Sequence, residues 1–336
     1  MLQELDAMSG SIVKQQDAAA GRESKRIVLV VAGPTASGKS ALALAVAEKF
    51  GGTVINADSM QVYRELRILS NRPTPEQEAR APHRLFGILS ATEACSAAHW
   101  RSLALAEIAT AHDTGQVPVV TGGTGLYLKA LIEGLSAIPD IPLDLRSELR
   151  RRLVEGGAVT LHDELSRRDP TAAGRLQPGD SQRVLRALEV FEATGRSITE
   201  FQGRFMAPPP GLHYATILLR PPRAQLYATC DSRLISMVDA GVVNEIRRLR
   251  SAGVDPNLPI MKALGMKEFG AHLDGHRSME EALKDAQQST RRYAKRQTTW
   301  FKNQNVADFY INEQYSERNS DKLFAFIRQK VLTTTE

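Results

Sequence analysis

Gly33-Pro34-Thr35-Ala36-Ser37-Gly38-Lys39-Ser40 follows directly on the apolar run Ile27-Val28-Leu29-Val30-Val31-Ala32, and that junction decides the fold. Gly33 and Gly38 let the backbone curl so that successive amide N–H groups point into one concavity. Lys39 adds a mobile positive charge, and Ser40 a hydroxyl suited to Mg²⁺. All eight residues are therefore candidate phosphate contacts of a P-loop. The flanks agree. Residues 27–31 have the continuous β-branched character of a strand buried on both faces. Residues 41–50 are strong helix formers that stop at Gly51-Gly52, so a helix starting near Ser40 turns the positive end of its dipole on the loop. Strand, loop and helix in that order imply a grip on a di- or triphosphate, without saying which.

Outward from the loop the alternation continues. Residues 53–57 read as a second strand ending at Asp58-Ser59, and residues 85–89 as a third. Residues 117–120 read as a fourth, which follows a helical segment at 102–111 and runs into Thr121-Gly122-Gly123-Thr124. Such alternation implies an α/β, P-loop NTPase-like parallel sheet flanked by helices. Ligands of such sheets lie outside the carboxyl ends of the strands, which brings Asp58 and Thr124 beside the P-loop. Between Ser136 and Gly211 the character changes: 146–153, 162–168 and 181–194 read as helices, with no strand among them. Ala207-Pro208-Pro209-Pro210-Gly211 closes that stretch, and 214–219 resumes strand character. The expected organisation is a disordered leader at 1–25, an α/β core at 26–136 and 212–310, an all-helical insertion domain at 137–211, and a C-terminal tail at 311–336.

Composition limits the alternatives. With 336 residues, 42% of them hydrophobic, the chain can bury one large core plus an insertion. Cys95 and Cys230, the two cysteines, lie far apart and outside any metal-binding spacing, which fits a reducing, cytoplasmic location. No apolar run approaches the ~20 residues that span a bilayer, and the first 25 residues lack the apolar stretch of a signal peptide. The net charge of +5 is only a mild indication of a polyanionic partner.

Asp58, at a strand end on the ligand edge, is a candidate general base or Mg²⁺-linked acid, and equally a helix cap or Asx-turn residue. Thr124 either hydrogen-bonds a ligand across a closely approaching backbone or sits in a turn that needs positive φ. The strand at 117–120 ends in threonine and glycine rather than in the aspartate typical of a hydrolysing motor, which favours transfer chemistry. Arg291, Arg292, Lys295, Arg296 and Lys302 fall in a stretch with no acid, and the first four recur at helical spacing as one basic stripe. Gln182-Arg183-Val184-Leu185-Arg186 forms a second basic set. Each is a phosphate-backbone track or a solvated face.

Taken together, these residues resemble the bacterial tRNA dimethylallyltransferases. The similarity runs from about Ile27 to Phe301 and rests on an ordered set of motifs. These are residues 33–40, Asp58-Ser59-Met60-Gln61-Val62-Tyr63, Ala81-Pro82-His83-Arg84 and Gly122-Gly123-Thr124-Gly125-Leu126-Tyr127. They continue with Asp180-Ser181-Gln182-Arg183 through Ala187-Leu188-Glu189, and with Tyr293-Ala294-Lys295-Arg296-Gln297.

The resemblance implies that the P-loop, with Arg233 as a further contact, holds dimethylallyl diphosphate. The prenyl group would pass to N6 of the adenosine at tRNA position 37, beside the anticodon. Mg²⁺ on Ser40 and the loop would stabilise the diphosphate leaving group, while Asp58 takes the amine proton and Thr124 keeps the base in register. The target base must leave its stack to react. The anticodon stem-loop would be met by Asp58, Ser59, Met60, Gln61, Thr124, Arg146, Gln182, Arg183, Val184, Leu185 and Arg186, and the enzyme is expected to be a monomer. The chain departs from the family pattern at Leu69-Ser70-Asn71-Arg72-Pro73 and at Gly265-Met266-Lys267, where an aromatic is lost. A free-adenylate prenyltransferase shares the same core chemistry, and a P-loop small-molecule kinase would explain the loop and sheet but neither basic element.

Overall fold

The run at 27–32 becomes a central strand. In the computed structural model, which describes residues 26–202, 205–304, 307–316 and 321–332, the chain resolves into two units. One is made of the segments up to Leu131 and from Pro209 onward; the other is Ile132–Pro208.

The first unit opens with β1 (Arg26–Ala32), α1 (Lys39–Phe50), β2 (Gly52–Asn56), α2 (Pro75–Arg80) and β3 (His83–Arg84). It continues with α3 (Ala97–Asp113), β4 (Val117–Gly122) and α4 (Gly125–Ile132). The second contains β5 (Leu135–Ser136), α5 (Leu143–Arg168), α6 (Pro170–Ala173), α7 (Ser181–Thr194), α8 (Ile198–Phe201) and β6 (Phe205–Met206). The chain returns to the first unit with β7 (Leu212–Leu219), α9 (Arg223–Asp239), α10 (Val242–Ser251) and a 3₁₀ turn at Pro259–Lys262. It ends with α11 (Met266–Leu273), α12 (Met279–Gln304), β8 (Phe309–Ile311) and α13 (Asp321–Leu332).

Among the described residues the main sheet has six strands in the order β3-β2-β4-β1-β7-β8, all paired in parallel. Ala32 pairs with Gly122 and Leu218, and Asn56 with Thr121, so β1, β2 and β4 end side by side. Val28, Leu29, Val30 and Val31 are fully buried, as strands covered on both faces require. Leu42, Ala43 and Val46 of α1 pack on one face. Burying each such Leu or Val contributes roughly 1.5–3 kcal/mol, and this is what fixes the loop before α1 on a rigid base.

Two expectations are corrected. The third strand lies at His83–Arg84 and not at 85–89, because Leu85 and Gly87 turn through φ 64° and 60°. There a Cβ on Gly87 would lie 2.2 Å from the Arg72 guanidinium. The stretch 311–336 is not merely a tail: β8 extends the sheet, and Leu323 and Ile327 of α13 join the core with Leu42 and Ile217. The disordered leader expected at 1–25 lies outside the described residues.

Taken by itself, the second unit is helical except for one antiparallel ladder, β5 with β6, that the pattern did not announce. Its longest helix breaks at Gly157 (φ 76°, ψ 171°), and Leu149, Leu161, Leu165, Val184 and Leu188 form its core. Arg152 and Arg168 each pair with both Glu164 and Glu192, which ties α5 to α7.

Candidate active site

The P-loop curls through two left-handed residues, Ala36 (φ 63°) and Gly38 (φ 90°), the alternation that turns amides into an anion-binding nest. Gly33 is required by space: a Cβ there would sit 2.7 Å from Ser37 Oγ and 3.1 Å from Leu219 O. Ser37 is fully buried, and its Oγ has no hydrogen-bond partner among the described residues. Lys39 Nζ folds back to donate to Pro34 O at 3.4 Å. Ser40 is exposed on the first turn of α1. On the outer side Gln314 Nε2 donates to Ala36 O at 3.1 Å.

Arg233, from α9, reaches the loop, its Nη2 donating to Thr35 Oγ1 at 2.6 Å. Burial pushes Lys39 down to about 8, opposed by the charge of Asp58 and reinforced by Arg233. Burial also lowers Arg233, against the pull of Cys230 and Asp58. Two half-buried cations around a nest of amides make a site whose electrostatics improve when a polyanion arrives.

Asp58 stands at the end of β2. Its backbone N–H donates to Asn56 Oδ1 at 2.8 Å, and its Oδ1 accepts from Met60 N at 2.9 Å. This is an Asx-turn, so the structural alternative is realised. The turn uses one carboxylate oxygen and orients the other, and the carboxylate is close enough to act on Lys39, Arg233 and Tyr293. Tyr293 is itself pushed up, chiefly by burial and then by Asp58. Thr124 is tied to the Asp58 turn through Ser59: Ser59 N donates to Thr124 Oγ1 at 3.0 Å, and the threonine hydroxyl donates to Ser59 Oγ at 3.3 Å.

The glycines around Thr124 are needed for room, not for positive φ. A Cβ on Gly122 would lie 2.1 Å from Ala57 O, one on Gly123 2.4 Å from Gln297 Nε2, and one on Gly125 2.5 Å from the Trp300 ring. Their φ values are ordinary.

Unit one thus brings together the eight P-loop residues, Asp58, Thr124 and Arg233. Ser59 and Met60 border the same turn, while Gln61 points its amide at Ser70 O and Asn71 O, both at 2.9 Å. In unit two, Gln182 and Arg183 are exposed on α7, but Val184 is wholly buried and Leu185 packs against the core. Val184 therefore offers packing and no contact surface. Arg146 and Arg186 converge on buried Glu189, at 4.0 and 3.0 Å. The basic stripe on α12 has one acid after all, since Arg291 Nη1 meets Asp231 Oδ1 at 2.6 Å. Arg292, Lys295 and Arg296 are exposed.

Sequence reasoning missed Glu245. This buried carboxylate accepts three backbone N–H groups, from Arg67, Ile68 and Leu69, at 2.7, 2.8 and 2.8 Å. It anchors residues 67–69, where the divergent segment Leu69-Ser70-Asn71-Arg72-Pro73 begins. Arg72, in the same segment, donates to the carbonyls of Tyr63 and Arg64. Met266, where the family pattern has an aromatic, is buried.

The donor set fits Mg²⁺ better than a transition metal. Among the described residues there is no cluster of three His, Cys, Asp or Glu. One exposed hydroxyl beside a phosphate cradle suits an ion that keeps most of its waters and takes substrate oxygens. No helix of the described residues is long and apolar enough to cross a membrane.

Known proteins match this arrangement over most of its length. The family model described as IPP transferase matches residues 61–304. A tRNA dimethylallyltransferase of Rhodospirillum centenum is 56% identical over 284 residues, 84% of this chain and 90% of that protein. One from Paramagnetospirillum magneticum is 49% identical over 305 residues, 91% and 97% of the two chains. Among solved structures, the full-length tRNA isopentenylpyrophosphate transferase from Bacillus halodurans superposes with a TM-score of 0.67 at 32% identity, over 93% of this chain and 98% of that one. A family model over residues 61–304 and relatives 49–56% identical over more than four-fifths of the sequence agree: the chain belongs to the IPP transferase family.

Proposed function

We propose that the chain is a tRNA dimethylallyltransferase: it moves the dimethylallyl group from dimethylallyl diphosphate to N6 of the adenosine at tRNA position 37 and releases diphosphate. The observation that carries this reading is the juxtaposition of Asp58, hydroxyl-bonded Thr124 and two half-buried cations, Lys39 and Arg233, at one edge of the sheet. As the N6–C1 bond forms, the C1–O bond to diphosphate breaks, and the N6 proton passes to the Asp58 carboxylate. The P-loop amides, Lys39 and Arg233 meet the charge that develops on the departing diphosphate. Ser40 would hold a Mg²⁺ ion, which when bound would neutralise more of that charge. Thr124, fixed through Ser59, orients the base beside Asp58. Exposed Gln182 and Arg183, with Arg146 and Arg186 poised on Glu189, provide phosphate contacts for the anticodon stem-loop. Its substrate is made in the cytoplasm, where we place the enzyme, acting as a monomer.

The test incubates the protein with labelled dimethylallyl diphosphate, or with ATP, and either unmodified tRNA or free AMP. Label on tRNA is the expected result; label on AMP alone, or phosphate transfer from ATP, overturns the reading. Asp58→Ala should lower turnover by about 10²–10⁴ while tRNA affinity changes less than about threefold, and a folded variant with normal turnover removes Asp58 as the base.

A further inference from the structure

The reaction needs two half-sites at a fixed separation, one gripping diphosphate and one holding the base. One buried side chain bonds to the backbone of both. Gln297, on α12 and 6% exposed, accepts from Thr35 N through Oε1 at 2.8 Å and donates through Nε2 to Gly123 O at 2.7 Å. Thr35 belongs to the P-loop, and Gly123 precedes Thr124. Both ends of the amide are therefore used, each on the backbone of a different half-site.

The surroundings are tight. A Cβ on Gly123 would strike Gln297 Nε2 at 2.4 Å and come within 3.2 Å of Gly33 O. The two loops thus touch backbone to backbone, with the amide locked beside the contact. Neighbours on the same face of α12 continue the pattern: Ala294 packs with Ala36 of the P-loop, and the Trp300 ring lies under Gly125. At spacings of three residues, these side chains form one ridge that runs from cradle to turn.

We propose that Gln297 is a positioning residue for prenyl transfer, setting the separation between the diphosphate cradle and the Thr124 turn. It touches neither substrate. The contact also withdraws the Thr35 N–H from the cradle. The inference rests on the transferase reading, and its failure is distinguishable from that reading's: the wild-type chain must first transfer label to tRNA.

Gln297→Leu removes both bonds; Gln297→Glu is isosteric, keeps the acceptor for Thr35 N and sets a carboxylate against Gly123 O. Each half-site should still bind its own ligand, so the dissociation constants for dimethylallyl diphosphate and for tRNA should stay within about threefold of wild type. Single-turnover transfer should fall by about tenfold or more in Gln297→Leu, and by an intermediate factor in Gln297→Glu. The proposal is overturned if transfer falls less than about threefold in Gln297→Leu, or if either dissociation constant weakens as much as the rate falls, which marks collapse of one half-site. Should Gln297→Leu not fold, Gln297→Glu alone decides by the same two criteria.

Discussion

Lys39 gives the site a pH signature. Burial lowers its pKa from 10.5 to about 8, so the free enzyme is about nine-tenths cationic at pH 7 and about one-tenth cationic at pH 9. A bound diphosphate restores a counter-charge and raises the pKa again. The apparent affinity for dimethylallyl diphosphate should therefore weaken about tenfold between pH 7 and pH 9, with binding coupled to uptake of about one proton near pH 9. The ligand's last ionisation lies near about pH 6, so the limb above pH 8 belongs to the protein. Calorimetric titrations in two buffers of different ionisation enthalpy read both quantities. Lys39→Arg, cationic throughout, should bind without that limb. A flat wild-type profile, or the same limb in Lys39→Arg, refutes the reasoning. The same shift has a stability counterpart of the opposite sense. The unfolded chain binds more protons than the free folded enzyme between pH 8 and about 10.5, so the lysine's penalty, about 3 kcal/mol below that window, is relieved as pH rises through it.

Two further outcomes follow from the geometry. Arg183→Ala with Arg186→Ala should weaken tRNA binding and make the slope of log affinity against log salt shallower by about 1.5; an unchanged slope leaves both as solvated surface. Gly122→Ala forces a Cβ to 2.1 Å from Ala57 O where β2 and β4 end, and should lower stability by about 1–3 kcal/mol in urea unfolding. Gly179→Ala, with nothing within 4 Å, is the control and should change stability by less than about 0.5 kcal/mol.

What the sequence discloses and what it withholds divides along chain distance. The P-loop is legible because its chemistry is local: glycine spacing, the following helix and the preceding strand all fall within residues 27–50. The carboxyl-edge rule then places Asp58 and Thr124 correctly from pattern alone. The basic stretch on α12 misleads for the opposite reason. No acid stands near Arg291 in sequence, yet Asp231 reaches it from 60 residues away. Helical periodicity locates α7 to the residue, but a five-residue window necessarily includes inward side chains, here Val184 and the partly buried Leu185. The third strand is displaced because a leucine in the left-handed region leaves no compositional mark.

Gln297 is the sharpest case. Within its own helix it stands in a cationic run and is only the last residue of a motif, and it takes a role from partners 262 and 174 residues upstream. The same holds for the loop it serves. An octapeptide of amides and one lysine binds phosphate in any enzyme that carries it, so it cannot specify what becomes of the phosphate. That choice belongs to the groups that answer it: Asp58 and Thr124 from adjoining strand ends, Arg233 from α9 and Gln297 from α12. Were the loop sufficient, loss of Gln297 would be silent. Were the loop and the Thr124 turn independent sites, its loss would cost affinity and spare the rate. The geometry leaves the third outcome, in which both ligands still bind and the bond between them forms slowly.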